Sequence, residues 1–85
     1  MVILIDDFAL TKKNYHLNFN VHVPGLNPNI TFFIDYWGPD FDCNIPLTES
    51  QTEDLKQLLN NCFGYPPFDK NMVANQIHIS KRYHF

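Results

Sequence analysis

Tyr15-His16-Leu17-Asn18-Phe19-Asn20-Val21-His22-Val23 alternates apolar and polar residues without a break. Every odd position is apolar and every even position is polar. Successive side chains of an extended chain point to opposite faces, so this pattern predicts a strand with one face buried and one wet. Working outward, Val2 to Leu10 reads as an earlier strand, and Thr11-Lys12-Lys13-Asn14 as the hairpin turn between the two. Pro24-Gly25-Leu26-Asn27-Pro28-Asn29 has loop chemistry, with prolines that fix φ and a permissive glycine. Ile30 to Trp37 is β-branched and aromatic, a third strand that Gly38-Pro39-Asp40 stops. Phe41, Cys43, Ile45 and Leu47 then alternate with Asp42, Asn44 and Pro46, a short fourth strand. Pro46 lacks an amide donor and places the end of that strand at a sheet edge.

A helix follows. Thr48 is a candidate N-cap, and Gln51 stands three residues on to close a capping box. Glu49, Glu53 and Asp54 fall in the first turns, where the helix dipole favours acids. Leu55, Leu58, Leu59, Cys62 and Phe63 make the apolar stripe of an amphipathic helix. Gly64 suits a left-handed cap, and Pro66-Pro67 forbids continuation. Met72 to Tyr83, with Ile77-His78-Ile79 at its centre, reads as a fifth strand. The expected class is α+β: a mostly antiparallel sheet of four to five strands, β-β-β-β-α-β along the chain, with one amphipathic helix on one face.

With 85 residues, the expectation is a single domain spanning 1–85. Hydrophobic content of 45% and aromatic content of 15% are globular values. The longest aliphatic run, Val2 to Ile5, is too short for a membrane span. Three glycines form no phosphate-cradling motif. A net charge of -3 argues against a general nucleic-acid binder, which needs a basic footprint. The first seven residues lack the basic region of a signal peptide, so the chain is expected to begin at Met1 and to stay in a reducing cytoplasm. Cys43 and Cys62 have neither the spacing of a zinc ribbon nor that of a CxxC redox site.

The wet face is the informative one. Pleating gives it His16, Asn18, Asn20 and His22 from the second strand, and Asp42 and Asn44 from the fourth. In the third strand, Ile30, Phe32, Ile34 and Tyr36 are the more uniformly apolar set and are expected to meet the helix. Thr31, Phe33, Asp35 and Trp37 then lie outside, setting two large aromatics among amides, imidazoles and carboxylates. Exposed aromatics in a polar rim are typical of recognition surfaces. From Asn14 to Leu55 there is no Lys or Arg, while Asp35, Asp40, Asp42, Glu49, Glu53 and Asp54 all lie there. Such segregation steers a basic partner.

Chemical motifs are sparse. Asp40-Phe41-Asp42-Cys43-Asn44 opens like a calcium loop, but Ile45 and Gln51 replace the glycine and the bidentate glutamate that such a loop needs. His16 and His22 are about 20 Å apart along one strand and cannot share an ion. A metal site would require the second and fifth strands to come together, bringing His16 or His22 to His78 or His84. His78, Lys81 and His84 are the one conceivable nuclease set, with histidines exchanging protons and lysine steadying phosphate. No nucleophile stands in a recognisable motif, and no cofactor or metal is expected.

The expectation is therefore a small acidic protein-binding module, not an enzyme: a stoichiometric inhibitor, immunity-like or phage anti-defence-like in type, of a basic enzyme such as a nuclease. Its anchors are Phe33 and Trp37, its charge partners Asp35, Asp40, Asp42, Glu49 and Glu53, and its flanking amides Asn18 and Asn20. A saccharide or other small-ligand binder using the same face is the first alternative, the His/Lys nuclease the second. A homodimer through the sheet face is compatible with the leading reading.

Overall fold

A computed structural model describes residues 1–79 and 82–84. Five strands form one sheet: β1 (Val2–Thr11), β2 (His16–His22), β3 (Phe32–Tyr36), β4 (Phe41–Cys43) and β5 (Arg82–His84). Their spatial order is β4-β3-β2-β1-β5, and every neighbouring pair is antiparallel. Helices α1 (Glu49–Phe63) and α2 (Lys70–Ile79) join β4 to β5. The molecule is α+β, as the alternation and the capped helix predict.

The β1–β2 hairpin has the register that its sequence requires, with one irregularity. Ile5 faces Val21 and Asp7 faces Asn20, so Asp6 is an inserted residue, a β-bulge. The bulge reverses the parity of β1: Ile3 and Ile5 point to the core before it, Phe8 and Leu10 after it. Without it, Asp7 would share the buried face with Ile5. The turn that follows holds Lys12, Lys13 and Asn14 at φ of 50°, 56° and 70°, and the Tyr15 amide donates to the Lys12 carbonyl. Tyr15 thus belongs to the turn and is exposed rather than starting β2.

In β3 the expected face assignment holds, with Phe32, Ile34 and Tyr36 buried. Ile30, expected to join them, is 50% exposed because its amide closes a turn onto Asn27. The fourth strand is shorter than its alternation suggests. After Cys43 the Asn44 side chain takes over the pairing with β3: it accepts from the Phe33 amide and donates to the Thr31 carbonyl, each at 2.7 Å. Pro46 follows, and β4 is one of the sheet's two edge strands, as expected.

Helix α1 carries the full capping box, with Gln51 N–H donating to Thr48 Oγ1 and Thr48 N–H to Gln51 Oε1. Leu55, Leu59 and Phe63 are buried, and the Phe63 ring lies 5.2 Å from that of Phe19 on β2. Gly64 has a φ of 69°, and its amide returns to the Asn60 carbonyl.

The segment after Pro67 departs from expectation. Residues 72–79, read as the start of a fifth strand, form most of α2; the strand begins at Arg82. Asp69 is the reason. Its side chain accepts from the Met72 amide at 2.9 Å and its carbonyl from Val73, which makes it the N-cap. Phe68 and Val73 occupy the two positions of a hydrophobic staple, and both are buried. Ile77, one turn beyond Val73, packs half-buried on the same core.

Candidate functional site

Both helices contribute their apolar faces to the core that covers one side of the sheet. The opposite side, among the described residues, carries no helix, and its chemistry follows from the register. One row across the strands is Ala9–Asn18–Asp35–Asp42, and the next is Asp7–Asn20–Phe33. Phe33 is 47% exposed, and Asn20 and Asp42 are exposed beside it. Three carboxylates, Asp7, Asp35 and Asp42, share this face across β1 to β4, and Arg82 of β5, opposite Leu4, lies on the same face at the far edge.

The centre of the face is a hydrogen-bonded network. His16 Nδ1 lies 2.9 Å from Asp35 Oδ1, and Asn18 Nδ2 donates to the same oxygen at 3.2 Å. A carboxylate only accepts, so the His16 ring carries a proton on Nδ1. Thr11 Oγ1 in turn donates to Asn18 Oδ1. The His16 ring also stacks at a tilt on Trp37, with centroids 5.7 Å apart. Trp37 is half-buried, so one part of the ring is structural and the remainder reaches solvent. His16 is the member of this site that the sequence places on the wet face and weighs as a metal ligand, but that is not among the expected partner-binding residues. Its signal was its place two residues from Asn18 on the wet face.

The other expected residues lie elsewhere. Asp40 sits in the β3–β4 turn, paired at 3.3 Å with Lys56 of α1, and its side chain is 60% exposed. An ion pair so open to water contributes little, but it offsets part of the negative field expected there. Glu49 and Glu53 are exposed on α1, in the layer that packs against the sheet's other face. They are therefore separated by the sheet from Phe33 and Asp42. Glu53 accepts a hydrogen bond from Gln57.

Several chemical readings can be placed. Asp42 of the calcium-like run lies on a strand, and Asn44 is engaged with the β3 backbone. Strands β2 and β5 are not neighbours, because β1 lies between them, so the cross-strand histidine pairing is not formed. His78 lies on α2 and His84 on β5, both exposed; Lys81 lies outside the described residues. Among the described residues, no group of three or more His, Cys, Asp or Glu could hold a metal ion. No hydroxyl or thiol there bonds the His16 ring. Cys43 and Cys62 are free and half-buried against the core. Burial pushes both thiols up, the direction of a packing group rather than a nucleophile. No helix among the described residues is long and apolar enough to cross a membrane.

Comparison with protein-family models, with curated proteins and with solved structures gave no significant match to this chain.

Proposed function

We propose that the chain is a protein-binding module whose uncovered sheet face receives a basic surface of another protein, acting stoichiometrically as an inhibitor of an enzyme such as a nuclease in the cytoplasm. The observation that carries this reading is the placement of Phe33, nearly half exposed, one row from the aligned carboxylates Asp35 and Asp42. An aromatic anchor beside acids gives both contact area and charge selection. Asn18, Asn20 and the accessible part of Trp37 extend the same surface. Asp40, paired with Lys56, and the α1 acids Glu49 and Glu53, on the far side of the sheet, add to the overall negative charge but lie outside the proposed contact.

The test is retention of a partner from host lysate by immobilised wild type, Phe33→Ala, Asp42→Lys and, as a control on the helix layer, Gln57→Lys. One protein held by wild type and by Gln57→Lys, and released by both sheet-face variants, is the expected result. Equal retention by the wild type and all three variants would remove the sheet face from consideration.

A further inference from the structure

Among the described residues, the edge of β1 has no strand partner beyond Leu4. β5 pairs only with Val2, Ile3 and Leu4, whereas β2 pairs with β1 through to Thr11. Beyond the bulge, the side of β1 away from β2 therefore has no strand partner among the described residues. The Phe8 amide donates instead to the neighbouring Asp7 carboxylate at 2.8 Å, so it is directed away from β2. Alternation along the strand aims the Leu10 amide the same way. A groove of about 430 Å³ runs beside this edge, lined by Phe8, Ala9, Leu10, Asn14 and Lys70. Phe8 and Leu10 are only half-buried.

Unpaired strand edges are templates for another strand, and proteins that stay monomeric usually protect them with bulges or charges. Here the charges are arranged with opposite signs at the two ends. Asp6 and Asp7 stand at one end of the open segment; Lys12 and Lys13 stand at the other. Lys70 joins the basic end, where the Phe68 amide ties its segment to the Asn14 carbonyl. An antiparallel pairing of this edge with its own copy, about a two-fold axis through Ala9, sets Phe8 opposite Leu10 on the core side. It sets Asp7 opposite Thr11 on the outer side and brings the aspartates of each copy to the lysines of the other. Opposite residues share a face in this register, as antiparallel pairing demands. Moving the axis to Phe8 sets Asp6 opposite Leu10, and moving it to Leu10 sets Phe8 opposite Lys12; both lose the match.

We propose that a second copy of the chain docks on the free edge of β1, joining the two sheets into one through an isologous antiparallel β1–β1 contact centred on Ala9. The outer face with Phe33 and Asp42 stays uncovered in each copy, so this inference stands apart from the partner-binding reading.

Sedimentation velocity over micromolar to millimolar concentrations tests it, alongside amide hydrogen exchange. The wild type is expected to shift with concentration from its 10.0 kDa monomer mass toward twice that value. Exchange at Phe8 and Leu10 is expected to slow in step. Lys12→Glu/Lys13→Glu makes like charges meet at both ends and should weaken association by at least about tenfold. Adding Asp6→Lys/Asp7→Lys to that variant restores opposite signs and should restore the dimer. A wild type that remains monomeric throughout overturns the proposal. So does a dimer whose Phe8 and Leu10 amides exchange at the monomer's rate, because the contact then lies elsewhere.

Discussion

Asp35 and Asp42 are aligned cross-strand partners in the β3–β4 ladder, both carried on the uncovered face of the sheet. Directly opposed side chains have Cβ atoms about 5 Å apart, and like charges in that arrangement are destabilising. Asp35 is partly relieved by His16 and Asn18, which share its Oδ1.

The isolated chain should accordingly gain stability from Asp42→Asn, by about 0.5 kcal/mol. Urea unfolding measures this directly. Added salt should stabilise the wild type more than the variant, because screening removes the same repulsion. A variant less stable than wild type at low salt would show that Asp42 has a compensating role.

Two buried tyrosines should respond oppositely to loss of their hydroxyls. Tyr36, fully buried, lies with its hydroxyl against the Asn60 side chain at 2.7 Å and against the Gly64 carbonyl. Tyr83 is also buried, and its hydroxyl has no hydrogen-bond partner among the described residues. Tyr36→Phe should cost about 1 kcal/mol, while Tyr83→Phe should be neutral or stabilising by a similar amount. Thermal melts of the two variants beside wild type decide it, and equal losses would contradict the contrast.

The same residues set the alkaline limit. Burial, with a smaller push from Tyr65 on Tyr36 and from Cys62 on Tyr83, raises both phenols from 10.0 to about 12. A phenol raised in the folded state stays neutral there while the unfolded chain ionises, so the stability is present below 10 and is lost as pH rises from 10 toward 12. Ultraviolet titration should find Tyr36 and Tyr83 ionising near 12, together with unfolding. Tyr83→Phe should make the alkaline transition shallower.

How far the sequence disclosed this fold depended on how many independent signals agreed at each place. Around β2, the alternation from Tyr15 to Val23 left one register, and α1 had its cap, stripe and stop all in agreement. At Ile77-His78-Ile79, a three-residue alternation was set against a capping aspartate eight residues earlier, and the cap decided the outcome. The Asp6 bulge was hidden because a single inserted residue leaves composition unchanged and only reverses parity. The wet face was legible as a set of residues, since parity assigns it. Which of its members bond one another was not, because the His16–Asp35 contact is a diagonal between strands that periodicity does not order. The separation of Glu49 and Glu53 from Phe33 likewise required knowing which face α1 covers.

The β1–β2 turn is a site for improvement. Lys12 and Lys13 hold left-handed φ values, a conformation that costs an ordinary side chain roughly 1 kcal/mol or more and that Asn tolerates better. Lys12→Asn should raise the stability of the monomer by a few tenths of a kcal/mol to about 1 kcal/mol. Chemical denaturation at a concentration low enough to exclude association is the appropriate measurement. No gain would mean that the lysine side chain makes a compensating interaction in the turn.

Phe33 and Trp37 offer the sharpest separation of binding from folding. Phe33 is 47% exposed and its backbone is held by Asn44, so the ring can be removed with little loss of packing. Trp37 is half-buried against His16, which itself orients Asp35. Phe33→Ala should therefore leave the melting temperature within a few degrees of wild type, whereas Trp37→Ala should lower stability by about 1 to 2 kcal/mol. Against a captured partner, Phe33→Ala should still weaken affinity by at least about tenfold, the signature of an interface anchor rather than a core residue. If Phe33→Ala binds with wild-type affinity while Trp37→Ala does not, recognition is centred on the Trp37–His16 end of the face. The Asp35–His16 contact would then become the part of the site to dissect next.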